Sequence, residues 1–162
     1  MKMWKKKEGV SPVIAVILMV AITVVLAAVL YVMVSGMMPR TTTAPHVTFA
    51  TPSKQNSTIY YIDVAGVDRS ESYTGYKAVL LVNGTSAITL SLSGTAPISG
   101  SGSGSYSYLT LKYSDVDGGT KLSGGDRFTV DGGAVALSGN IELKLFWTST
   151  GDEVGKTSWT AA

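Results

Sequence analysis

Residues Val13 to Val34 form a run of 22 residues without a charge, in which Thr23 and Tyr31 are the only polar-capable side chains. At about 1.5 Å per helical residue, such a run crosses the roughly 30 Å of a bilayer's hydrocarbon core. Apolar residues take every face with no polar stripe, which excludes an interfacial amphipathic helix and a two-stranded coiled coil. Lipid or protein must therefore surround this segment on all sides.

The flanks say where the helix begins and which way it points. Ser11 is placed to cap it, its hydroxyl accepting an orphan backbone N–H, and Pro12 stands at a first position that has no intrahelical bond to lose. Ser35-Gly36 marks its end, with Gly36 suited to a left-handed cap and Pro39 just beyond. Lys2, Lys5, Lys6 and Lys7 against Glu8 give the leader a charge of +3, and the positive-inside rule keeps it in the cytoplasm and sends the C-terminus out. An ordinary secretory signal has an apolar region of about 7 to 15 residues ending at a small-x-small site. This run is longer, and Ala27-Ala28 lies inside it.

The stretch Lys5-Lys6-Lys7-Glu8-Gly9-Val10-Ser11-Pro12-Val13-Ile14-Ala15-Val16-Ile17-Leu18-Met19-Val20-Ala21-Ile22-Thr23 resembles the N-terminus of archaeal type IV pilins, a basic leader followed by glycine and V-S-P-V-I-x-V-I-L-M-V-A-I-T. The resemblance implies a class III signal peptide cut by a prepilin peptidase after Gly9, leaving Val10 as the new N-terminus and the helix with the mature subunit. It implies a helical homopolymer whose core includes Val13, Ile14, Ile17, Leu18, Val20, Ile22, Val25, Leu26, Val29 and Leu30. An assembly ATPase and a membrane platform protein are the further partners it implies. Bacterial relatives carry a glutamate at the fifth mature position, where this chain has Ile14, so registration through a carboxylate is ruled out. Glu8 stands before the glycine, where a lysine is usual. Archaellins, with a different Gly-rich opening, are the second choice within the class.

Beyond the linker at residues 39–46, the pattern turns to β. Candidate strands are Val47 to Ala50, Thr58 to Val64, Tyr76 to Val82, Ala87 to Leu92, Tyr106 to Tyr113, Arg127 to Val130, Ile141 to Thr148 and Lys156 to Thr160, separated by turn signals such as Asn83-Gly84 and Thr150-Gly151-Asp152. Eight short strands at this spacing predict an immunoglobulin-like antiparallel sandwich over 47–162. With the helix over 10–38 and a cleaved leader over 1–9, the class is α+β. Ser99-Gly100-Ser101-Gly102-Ser103-Gly104-Ser105 reads as a flexible exposed loop.

Without the leader, nine basic side chains face ten acidic ones, and no basic patch argues for nucleic acid. Cysteine is absent from the sequence, so disulfides cannot staple the domain. His46 is the single histidine, too few for a His-based triad or a zinc cluster. Asp115-Val116-Asp117-Gly118 imitates the start of a calcium loop, but no glutamate stands at the twelfth position, and a plain turn is the simpler reading. No enzyme, cofactor or metal is expected. Asn56-Ser57-Thr58 and Asn83-Gly84-Thr85 are N-glycosylation sequons, meaningful in an exported domain. The expectation is a pilin, held in the cytoplasmic membrane as precursor and then placed in an extracellular filament whose β domains mediate adhesion. A membrane-tethered surface-binding protein is the alternative from another class.

Overall fold

The computed structural model describes residues 11–37 and 43–162, and the chain divides into two compact units at Thr41/Thr42. In the first unit, α1 spans Pro12–Met37. It begins where Ser11-Pro12 places it: Ser11 O accepts from Ala15 N at 3.1 Å, the first bond of the helical ladder. The expected stop at Gly36 is not used. Gly36 carries helical backbone one residue short of the end. The Ser35 hydroxyl donates back to Tyr31 O at 2.6 Å, across one helical turn.

The second unit holds ten strands, all paired antiparallel: β1 (Val47–Phe49), β2 (Ser53–Lys54), β3 (Ile59–Val67), β4 (Tyr76–Val82), β5 (Thr85–Ser91), β6 (Ile98–Ser101), β7 (Thr110–Ser114), β8 (Arg127–Asp131), β9 (Gly139–Trp147) and β10 (Glu153–Ala161). One sheet runs β1-β3-β8-β7-β6 with β2 also on β3, and the other runs β10-β9-β4-β5. In immunoglobulin terms β1-β3-β8-β7 takes the order A-B-E-D and β10-β9-β4 the order G-F-C. The expected sandwich is therefore present, with β5 and β6 inserted between C and D.

Alternation explains the packing. Along β4, Tyr76, Ala78, Leu80 and Val82 are buried while the residues between them are half-buried, and β9 turns Ile141, Leu143 and Leu145 inward in the same way. They meet Ile62, Leu111, Phe128 and Val130 from the facing sheet. Tyr113 lies 5.2 Å from Phe128 and 5.5 Å from Tyr73, and Phe49 meets Phe128 edge-on at 6.0 Å. Each fully buried aliphatic or aromatic side chain is worth about 1.5–3 kcal/mol of apolar transfer, so a domain without disulfides rests on this core.

Two strands were not foreseen. β2 is two polar residues on a sheet edge with no alternation to betray it. The more informative one is β6, which runs through Ser99, Gly100 and Ser101 and pairs Ile98↔Tyr113 to Ser101↔Thr110. The Ser/Gly tract is thus an ordered edge strand followed by a 3-10 turn at Gly104–Tyr106, not a flexible loop. Glycine is what lets it be one. A Cβ on Gly100 would stand 3.1 Å from Leu90 Cδ1 of the opposite sheet, and one on Gly102 would collide with the carbonyl of Tyr106. The strand expected over Tyr106 to Tyr113 consequently starts late, at Thr110.

Candidate functional site

The helix is the largest unpartnered surface in the described chain. Pro12–Ser35 qualifies as a membrane span with mean hydropathy 3.2, and none of it is buried. Val13, Ile14, Ile17, Leu18, Val20, Ile22, Val25, Leu26, Val29 and Leu30 are all between 52% and 65% exposed, around the whole circumference. Two of the hydroxyls of Pro12–Ser35 are satisfied by the helix itself, Thr23 Oγ1 donating to Val20 O at 2.9 Å and Ser35 Oγ to Tyr31 O. Every backbone group is also satisfied within the helix interior, as a hydrocarbon environment requires. At the N-terminal end the Ser11 carbonyl starts the ladder. Gly9 and Val10 lie outside the described residues.

The two sequons fall on different turns. Asn56, in the connection between β2 and β3, is exposed, and its Oδ1 accepts from Thr58 N (2.8 Å), Thr58 Oγ1 (3.0 Å) and Ile59 N (2.7 Å). Asn83 and Gly84 form the two-residue turn between β4 and β5, with φ of 50° and 79°, the left-handed pair that a type I′ hairpin needs. Asn83 is tied to β9 twice: its side-chain Oδ1 accepts from Asn140 N at 2.9 Å, and its backbone N–H donates to Asn140 O at 2.7 Å.

Asp115, Asp117 and Asp126 bring carboxylate oxygens within 4.8 Å of one another. Asp115 and Asp117 belong to the expected turn; the fold adds Asp126, which stands just before β8 and is wholly buried. Asp126 accepts from Tyr113 Oη at 2.9 Å, Ser123 N at 2.8 Å and Val116 N at 3.2 Å. Asp115 accepts from Gly118 N and Gly119 N, and Asp117 from Gly119 N and the Ser123 hydroxyl. Burial, and then the hydrogen bond with Asp117, pushes the Asp115 carboxyl above its ordinary range; the N–H of Gly119, and then Asp115, hold Asp117 below it. The cluster folds the β7–β8 connection by gathering its backbone N–H groups. No spacing rule could have found it, because Asp126 joins through the sheet register rather than through a loop motif.

On the opposite face of the same sheet, Arg127 makes a bidentate ion pair with Asp63 at 2.6 and 3.2 Å and stands 4.6 Å over the Tyr61 ring. This pair ties β3 to β8 on a half-exposed face, where it adds little to stability.

Comparison with known families matches residues 8–49 to the archaeal type IV pilin N-terminal family, about a quarter of the chain, which includes α1 and β1. No curated protein matches the chain. Similar solved structures include the archaellum periplasmic stator protein FlaG from Sulfolobus acidocaldarius, at 13% identity and a TM-score of 0.39, covering 71% of this chain and 99% of that one.

Proposed function

We propose that this chain, whose residues 8–49 carry the archaeal type IV pilin N-terminal segment, is the structural subunit of an extracellular filament. The observation that carries the reading is α1 itself: a helix apolar on every face and exposed along its length, in the segment the family match covers. In the precursor the helix lies in the cytoplasmic membrane. A prepilin peptidase cuts between Gly9 and Val10 on the cytoplasmic side, and an assembly ATPase with its platform protein draws the subunit into the growing fibre.

The physical reason for this route is the surface it never exposes. Lipid and a bundle of like helices are both apolar, so passage from one to the other keeps Leu26, Leu30 and their neighbours out of water. What decides assembly is then side-chain packing between helices, since hydrophobic transfer is nearly balanced. Ile14 in the fifth mature position supplies no charge, so subunits register by shape. The β sandwich faces the medium and makes the filament's surface contacts, adhesion among them.

The test is the mature N-terminus combined with electron microscopy of surface fibres. A mass beginning at Val10, from protein recovered in fibres, supports the proposal. An uncut chain found as a membrane-bound monomer would make it a tethered surface-binding protein instead.

A further inference from the structure

The two sequons are equivalent in sequence and unequal in structure. From that difference we infer that Asn56 is the N-glycan acceptor of this chain and that Asn83 is a structural residue left bare. The inference rests on the reading that the β domain is exported.

An acceptor asparagine must present Nδ2 to a sugar donor with room for a saccharide beyond it, and its segment must bend into an enzyme's groove without dismantling the fold. Asn56 meets both conditions. Three donors, Thr58 N, Thr58 Oγ1 and Ile59 N, converge on one end of its carboxamide, which identifies that end as oxygen and turns Nδ2 away from the turn. Residues 53–57 are all exposed; Gln55 N and Asn56 N donate to Ile59 O at 3.0 and 3.4 Å, and beyond the turn Ser57 O and Thr58 O accept from Leu137 N and Gly132 N at 2.9 and 2.8 Å. Opening it breaks the bond from Leu137 N to Ser57 O and, among the strand pairings, disturbs the two-residue β2 while leaving the β3–β8 ladder, which starts at Ile59, in place. Thr58, whose hydroxyl completes the sequon, sits on the same turn.

Asn83 is exposed as well but fails the second condition. Its backbone is left-handed, its N–H and Oδ1 are both bonded to Asn140, and its carboxamide lies against Gly139 so closely that a Cβ there would be 2.5 Å from Oδ1 and 2.9 Å from Nδ2. Bending residues 83–85 into another enzyme would undo the β4–β5 hairpin and the end of the β4–β9 ladder, where Val82 pairs with both Thr85 and Ile141.

The substrate class is a lipid-phosphate-linked sugar. The bond from Asn56 Nδ2 to the anomeric carbon forms as that carbon's bond to the phosphate oxygen breaks; the lipid phosphate leaves with the electron pair, and Nδ2 gives up one proton to solvent.

The experiment is glycopeptide mapping of the full chain recovered from its native membranes and fibres, with Thr58→Ala and Thr85→Ala variants that abolish each sequon without altering either asparagine. A membrane-impermeant amine label on intact cells, read at the exposed Lys112 and Lys121, reports export separately. The expected result is sugar on the Asn56 peptide and none on the Asn83 peptide, with the full glycan mass lost in Thr58→Ala and unchanged in Thr85→Ala. Labelled lysines with a bare Asn56, or with sugar on Asn83, overturn this inference while leaving the export reading intact. Unlabelled lysines on intact cells overturn the export reading and this inference with it.

Discussion

Tyr113 donates a 2.9 Å hydrogen bond to Asp126 Oδ2, with both residues wholly buried, so a phenol and a carboxylate meet inside an otherwise apolar core. Tyr76 is buried as deeply, yet its hydroxyl has no partner among the described residues, and burial, with Glu71 next in effect, pushes its pKa up to about 12. The two tyrosines should therefore respond oppositely to loss of the oxygen. Tyr113→Phe removes a bond to a charged group and should cost about 2 kcal/mol. Tyr76→Phe should be neutral or slightly stabilising, because it deletes an unsatisfied donor. Thermal unfolding of the full chain in detergent checks both, and equal losses in the two variants would contradict this account.

Gly100 decides whether the Ser/Gly tract is a strand. With Leu90 Cδ1 3.1 Å from a built Cβ, a branched side chain has no place to go, and Gly100→Val should cost about 1–3 kcal/mol through overpacking. A true flexible loop would accept the change at no cost. Amide exchange offers an independent check: protection in residues 98–101 comparable to that of β7 is expected.

That tract also shows what the sequence could and could not reveal. The start of α1 was legible because Ser11-Pro12 acts locally, and β4 was legible because Tyr76 to Val82 alternates strictly across a two-faced sheet. The sandwich class followed from the number and spacing of such strands, whereas the strand order within its two sheets did not. Ser99-Gly100-Ser101 was misread because its order comes from Leu90 and Tyr113, partners distant in sequence, while its composition alone signals freedom. Gly36 was misread as a cap because its composition signals a stop, whereas helical backbone runs on to Met37. Asp126 was missed as a neighbour of Asp115 because only the register of β7 against β8 brings it there.

The aspartate cluster makes stability depend on pH with a definite sign. Asp115, raised by burial and by Asp117, contributes stability that is complete below its unfolded pKa and lost as pH rises through its folded value. Asp117, lowered by Gly119 N–H and its neighbours, contributes stability above its unfolded pKa that is lost as pH falls through its folded value. The two contributions therefore run in opposite directions with pH. Asp115→Asn should unfold at a higher temperature than the native chain at neutral pH, with the gap closing as pH falls toward about 4. A gap independent of pH would contradict the assignment.

Within α1 the test is a charge at mid-helix. Leu26→Asp places a carboxylate where the chain is otherwise uncharged over 22 residues, a penalty of about 3 kcal/mol for membrane insertion and a buried unpaired charge in any helix bundle. Membrane fractionation should show reduced retention of the precursor, and surface fibres should be lost. Normal fibres from this variant would mean that α1 is not their core.

The most direct measurement is a cryo-EM reconstruction of fibres isolated from cells making this chain, at a resolution that traces side chains. The account predicts polypeptide beginning at Val10, with Leu18, Leu26 and Leu30 of neighbouring copies packed along the axis and the β sandwiches outside. Fibres whose axis is built from other elements, or a chain recovered only as a monomer stripped of its helix, would contradict it.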